Sequence, residues 1–453
     1  MVRFYATHSV EDILVRNNPV TRIRFLNPLA AQRFLLKPKP AGHPWICHLT
    51  VECATGWPSL PQVSEMTLSP CLKILCVNAR LGCLLILLGP RLVRAEDAIN
   101  YKYADYRESG GRIAVQTQSA LIEQDFGTEM HLKLEGTIDA ITGATPNGQP
   151  APAGSDQVVL TNLHDQRKAW KVDFSHQFPA LNVALGVANS RESDYISNGW
   201  SVNTLADFNQ KNTTLLAGIA GTEDKVKVIY QSPWARKRTN DVIVGVTQLL
   251  DPRTSVSFDL TWGRATGYLS DQYKIVQKRI EVNPGDFLPL QFLENRPGVR
   301  DKWIALGSLN HAFPDLHGAL EASYRFYHDT YGTRAHTLEL TWLQQISPTL
   351  ILRPELRFYD QSAADFYYYQ LDQTSIVPPF GPPPKQGPFY SSDFRVSALR
   401  TFNYGLKIVW TPTARWQLNA ALEEYAMHGK DGVTPRSAYP RATIVTAGLK
   451  ISW

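Results

Sequence analysis

From Asn100 to Trp453 the chain keeps returning to one pattern, apolar and polar side chains in turn over runs of about ten residues. The last run is typical: Val445, Ala447, Leu449, Ile451 and Trp453 fall on one side, Thr446, Gly448, Lys450 and Ser452 on the other. Successive strand residues point to opposite faces, so such a run folds as a strand with one greasy and one polar face. The alternation recurs at Leu132, Leu134 and Ile138 against His131, Lys133 and Glu135, and at Val256, Phe258, Leu260 and Trp262 against Ser255, Ser257, Asp259 and Thr261. It recurs again at Phe402, Tyr404, Leu406, Ile408 and Trp410 against Asn403, Gly405 and Lys407. No segment after residue 95 carries a helical period or a long apolar run, so the chain is all-β.

The next question is which solvent the greasy face meets. In a water-soluble sandwich it would pack on a second sheet. Here the polar faces mix both charges, as at Arg353, Glu355 and Arg357, and bulky rings gather near strand ends. Trp262 and Trp303 mark one set of ends; Trp342, Trp410, Trp416 and Trp453 mark the other. Two belts of rings flanking an apolar band suit a lipid-spanning barrel. Short turns, often carrying proline, are expected at 176–180, 250–253, 312–315, 346–349 and 411–414, with longer polar loops at 141–166, 265–301, 360–394 and 428–440. Counting back from Trp453 gives about 16 strands, the even number such barrels use, with 100–107 first and 208–230 the least defined stretch. The expectation for 96–453 is a transmembrane antiparallel β-barrel in a bacterial outer membrane, reached by export to the periplasm. Its short turns would be periplasmic and its long loops extracellular. The partners expected are outer-membrane lipid and the barrel assembly machinery, which would read the last strand ending at Trp453. An extracellular or periplasmic protein partner is left open.

The first 95 residues distort the whole-chain composition. They hold all five cysteines and 11 Lys+Arg against 4 Asp+Glu, leaving 35 against 37 for the remainder. A disulfide framework, a Cys-ligated metal and nucleic-acid binding are therefore not implied downstream. Met66 opens a signal-like segment, with Lys73 and Arg80, the apolar run 81–88, and small residues at Val93 and Ala95. That run falls short of the roughly 20 residues needed to span a bilayer. The expectation is a signal peptide over 66–95 and an unstructured 1–65 translated from a start codon placed too early.

The inward faces supply candidate site residues. Glu135, Asp173, Asp259, Glu321, Arg325, Arg353, Glu355, Arg357 and Lys407 are expected to line the lumen. There they would either wall an aqueous path or pair across strands and hold the barrel shut. In the first long loop Asp139, Thr142, Thr145, Asp156 and Asp165 offer oxygens to a hard cation or, more simply, to nearby backbone. Catalytic motifs are absent after residue 95, and no cofactor pattern is seen. The alternative to a channel or partner-binding barrel is a hydrolase with a loop-borne group at Ser155, His164 and Asp165. Phe366-Tyr367-Tyr368-Tyr369 and the proline-rich 377–384 are expected in a surface loop, either docking a partner or stiffening the loop.

The run Asp139-Ala140-Ile141-Thr142-Gly143-Ala144-Thr145-Pro146, with Leu163-His164-Asp165-Gln166-Arg167-Lys168-Ala169-Trp170 and the opening Tyr101-Lys102-Tyr103, Tyr106, Glu108 and Gly111-Arg112-Ile113, resembles the bacterial family catalogued as domain of unknown function 3570. The resemblance covers 96–453 and implies an outer-membrane-type barrel. It brings no activity and no catalytic residues.

Overall fold

The computed structural model describes residues 97–228 and 231–453. The expected leader, 1–65 and 66–95, lies outside the described residues. The strands are β1 (Ala98–Glu108), β2 (Ala114–Phe126), β3 (Met130–Pro146), β4 (Leu160–Gln177), β5 (Leu181–Arg191) and β6 (Tyr195–Phe208). There follow β7 (Thr213–Val228), β8 (Gln231–Asp251), β9 (Thr254–Gly267), β10 (Ile275–Asn283), β11 (Asp286–Leu293) and β12 (Val299–Phe313). The last six are β13 (Gly318–Asp329), β14 (Arg334–Ser347), β15 (Leu350–Gln361), β16 (Leu399–Thr413), β17 (Trp416–Gly429) and β18 (Arg441–Ser452). Sixteen of them close one antiparallel barrel; β10 and β11 form a separate hairpin between β9 and β12. Closure is made by β1 against β18, in register from Ala98↔Ser452 to Glu108↔Ala442. Because every backbone ladder has a partner, the barrel leaves no open edge, the condition for a sheet to cross lipid.

The alternation read from the sequence becomes an inside and an outside. Leu185, Val187, Ile219, Val244, Leu260, Leu356, Leu406 and Leu422 stand exposed on the outer surface. Trp262 and Trp303 face each other across β9 and β12. Short connections join strands at the end where β1 begins and β18 ends, such as 252–253 between β8 and β9. There the Asp251 carboxylate accepts from the Arg253 amide at 2.7 Å and the Thr254 hydroxyl at 2.7 Å, a local turn bond that sets the hairpin. The opposite end carries the long connections, 147–159, 268–298, 362–398 and 430–440.

One expected loop is shorter than the sequence suggested. β3 and β4 run on to Pro146 and from Leu160, paired throughout, so the loop is 147–159 and not 141–166. Asp139, Thr142, Thr145 and Asp165 are strand residues; of the five loop candidates only Asp156 lies in a loop.

The loop end is packed rather than splayed. Val276, Phe292, Leu371 and Tyr390 bury one another between the β10–β11 hairpin and 362–398. Val158, Phe394, Leu399, Ala438 and Tyr439 join 147–159, 362–398 and 430–440. Lys278 Nζ donates to the carbonyls of Leu371 at 3.0 Å and Thr374 at 2.8 Å. The tyrosine run is part of this cap: Phe366 is buried, Tyr367 bonds Thr434, and Tyr369 accepts from the Ala151 amide at 2.9 Å. The proline-rich tip is bare, with Val377 67% and Phe380 79% exposed, as are Val433 and the hairpin residues Val282, Phe287 and Leu288.

Candidate functional site

Beneath the cap the lumen holds a cavity of about 500 Å³. Its wall comes from inward positions near the loop end: Arg167 on β4, Lys237 on β8, Arg300 and Lys302 on β12, and Arg325 on β13. The cap adds Arg296 and Arg395. Against these seven cations stand three lining carboxylates, Glu192, Asp224 and Asp241, and between them Tyr195, Tyr268, Tyr327, Tyr331 and Tyr359. A smaller space of about 260 Å³ shares Arg296, Arg300 and Arg395 and is also lined by Gln272 and Tyr273 of the cap.

Three of these cations are held by carboxylates more deeply buried than they are. Arg300 meets Asp329 at 2.5 Å, Lys302 meets Asp241 at 3.2 Å, and Lys237 meets Asp224 at 3.3 Å. In those pairs the acidic side chains are 0–2% exposed and the basic ones 17–35%, so the face offered to a solute is positive. Arg300 also lies over the rings of Tyr331 and Tyr327, 4.7 and 5.8 Å from their centroids, which fixes its plane. One inward position further from the loop end, the wall turns apolar at Ala220 and Ile243, packed with Leu205 and Leu216. Positive charge, planar donors and phenol hydroxyls in one recess suit an anion that also carries hydroxyls.

In the cap, Arg395 grips Asp393 through Nε at 2.9 and 2.8 Å and reaches Asp271 through Nη2 at 2.6 Å. Arg296 meets Asp393 at 2.7 Å and Glu294 at 2.8 Å. Burial alone would raise the Asp393 carboxyl, but Arg395 and Arg296 outweigh it and hold it well below the usual carboxylate range. Burial pushes the neighbouring Glu294 the other way, upward. A depressed acid stabilises the fold above its unfolded value of about 3.9 and stops doing so as pH falls through the folded value. Glu294, raised, gains rather than loses stability as it takes up a proton. Mild acid should therefore leave the cap closed. Segment 362–398 is expected to resist pepsin at about pH 4 and to become cleavable only nearer pH 2; loss of protection already between about pH 6 and 5 would contradict this assignment.

Of the nine residues expected in the lumen, only Arg325 lines the cavity. The others also lie on inward strand positions, but away from it. Arg353 pairs with Glu321 at 3.1 Å, and Asp173 with Lys171 at 2.8 Å. Arg357 pairs with Glu339 at 2.9 Å, and Lys407 sits opposite Arg353 in register. Asp259 lies over Gly245, where an added Cβ would fall 1.9 Å from its Oδ1. Glu135 and Glu355 complete the set on β3 and β15. Glu321 and Glu339 keep 43% and 50% of their side chains exposed, so this part of the lumen is accessible to water. The five first-loop residues do not converge: Asp139 accepts from Thr117 at 2.7 Å and pairs with Arg167, Thr142 is exposed, Thr145 is buried, and Asp156 bonds Ser437 through its carbonyl. Asp165 turns inward to meet Ser193, whereas the next residue back, His164, turns outward. The pair therefore does not form the expected hydrolytic group. Arg300, Lys302, Lys237 and the cap arginines were missed by the sequence reading; the in-phase run of Arg300, Lys302, Ile304 and Leu306 was the available signal.

Among solved structures the chain is similar to CdiB from Acinetobacter baumannii, at 7% identity and TM-score 0.45 over 80% of this chain and 61% of that one. It is also similar to a bacterial polysaccharide outer membrane secretin, at 9% and 0.41 over 80% and 100%. A third is the ferric enterobactin receptor of Pseudomonas aeruginosa, at 11% and 0.40 over 79% and 61%, so the chain spans about three fifths of that receptor's length. No curated protein matches the chain. A family profile does, over residues 88–237 and 229–439, and the chain belongs to that family, described as Protein of unknown function (DUF3570).

Proposed function

We propose that this protein is an outer-membrane barrel that admits small anionic, hydroxyl-bearing solutes through a gated lumen, with the cationic, tyrosine-lined cavity as its selectivity site. The observation that carries the reading is the cavity wall, seven basic groups facing it against three acidic ones, with the counter-charges of three of them more deeply buried. Its lipid partner is the outer membrane, its short turns are periplasmic, and the assembly machinery recognises β18 as it enters the membrane. No catalytic role is assigned. A second reading, a scaffold that docks a protein at the loop end, is favoured by the bare apolar tip at Val377 and Phe380.

Planar-bilayer recording tests the first. The folded barrel should show small ion steps that prefer anions. Arg325→Glu swings two unit charges at the wall; at about 8 Å in water that is worth about 1 kcal/mol, or about fivefold in anion preference at low salt and about twofold near physiological ionic strength. A folded barrel that passes no ions, or one whose selectivity ignores Arg325→Glu, overturns the transport reading.

A further inference from the structure

At the barrel mouth, beside the cavity, three carboxylates meet. Asp165 comes from β4, Glu192 and Asp194 from the tight connection between β5 and β6, and one oxygen from each lies within 4.8 Å of the other two. Buried carboxylates elsewhere in this mouth are answered by arginine or lysine, as Asp329 is by Arg300 and Asp393 by Arg395. Neither Asp165 nor Asp194 forms an ion pair with a basic residue among the described residues. Their partners are neutral: Asp165 accepts from the Gln166 amide at 2.8 Å and the Ser193 hydroxyl at 3.0 Å. Asp194 Oδ2 accepts from Gln272 at 2.7 Å and the Tyr273 hydroxyl at 2.5 Å. A second observation points to a ligand. Asp194 is only 5% exposed, and its Oδ1 is buried with no hydrogen-bond partner. A buried anionic oxygen without a donor is costly and is rarely kept unless something fills its place.

We infer that Asp165, Glu192 and Asp194 bind a divalent cation of the calcium type, which ties the capping segment 268–298 to the barrel wall. The donor set is all oxygen and contains no histidine or cysteine, so a hard ion fits and a soft one does not. Carboxylates drawn from a strand and an irregular connection suit calcium, which accepts flexible geometry, better than magnesium, which demands a near-ideal octahedron. The ion supplies the missing positive charge and gives Asp194 Oδ1 its partner. Because the other oxygen of Asp194 holds Gln272 and Tyr273, whatever fixes that carboxylate also fixes the start of the segment carrying β10 and β11. The inference is independent of which solute the cavity admits.

The experiment uses the barrel refolded in detergent, free of lipopolysaccharide, which itself binds calcium. Terbium is titrated in while tyrosine is excited, since Tyr273 touches Asp194. Saturable luminescence is expected, displaced by calcium well before magnesium. Asp165→Asn and Asp194→Asn should each weaken the site by about tenfold or more. Glu339→Gln, a lumen carboxylate outside the cluster, should leave it unchanged. Heat-modifiable gel migration reports that each variant is folded. On the unaltered protein, calcium chelation should speed amide exchange over 270–274 and leave β16 as it was. Luminescence that does not saturate, a titration that Asp165→Asn leaves unaltered, or chelation without effect on 270–274 would each overturn the inference.

Discussion

Leu406→Arg is expected to destabilise the barrel by about 2–4 kcal/mol in vesicles, whereas Lys407→Gln, one residue on, should stay within about 0.5 kcal/mol of the parent. Both positions lie midway along β16. Leu406 stands exposed on the outer surface, opposite Pro354 on β15 and Leu422 on β17. A guanidinium there would sit near the bilayer midplane, too far from either interface for its stem to reach water. Lys407 points inward, where the chain already carries a cation opposite Arg353 and water is at hand. The contrast between neighbours is the test, because a one-residue step in a strand exchanges lipid for lumen while leaving secondary structure untouched. Urea unfolding in vesicles, followed by tryptophan fluorescence, measures both. Equal costs at the two positions, or none at Leu406, would mean that the oil is not where the outward face lies.

The same lipid contact explains how much was legible. On the proposed membrane placement, strand residues such as Val256, Phe258, Leu260 and Trp262 must all be apolar because hydrocarbon would touch each of them, and that requirement writes period two into the chain. Above the membrane it lapses. The outward residues of upper β3 and β4 include Thr142, Asn162 and His164, which meet water, so paired strands there read as loop. The β10–β11 hairpin was invisible for a related reason. Ile275 and Val276 are both apolar, and Lys278, Arg279 and Glu281 follow, because this hairpin answers to the local chemistry of Leu371, Thr374 and Asp372 and not to a continuous solvent. The cavity draws residues from β4, β8, β12 and β13, and the acidic cluster joins Asp165 to Glu192 and Asp194. Barrel closure and register bring these together, and spacing along one strand carries no trace of it.

Arg395→Met should open the cap while leaving the barrel intact. Its guanidinium holds Asp393 through three bonds and Asp271 through a fourth, all within the loop end. Removing one partner of a buried ion pair typically costs about 3–5 kcal/mol, because the charge left behind has lost its solvation twice over. The sixteen strands do not depend on this contact, since each is laddered to two neighbours. The segment 362–398 is held instead by the apolar clusters around Leu371, Tyr390 and Phe394, by scattered hydrogen bonds and by two isolated bridges, Asn295↔Tyr390 and Tyr367↔Ser391. A loss of that size falls on the least cooperative unit, so local opening precedes global unfolding. Larger single-channel conductance and faster protease cleavage in 362–398 are expected, with the urea midpoint of the barrel unmoved. Arg395→Lys keeps the charge but cannot span both carboxylates, so it should fall between the two. The double variant Arg395→Met, Asp271→Asn separates cause from contact, because Asp393 keeps Arg296 as its partner: if the charge stranded on Asp271 drives the opening, neutralising it should restore much of the closed conductance. Should the double variant stay as open as Arg395→Met, the cap is held by the shape of the arginine and not by its charge.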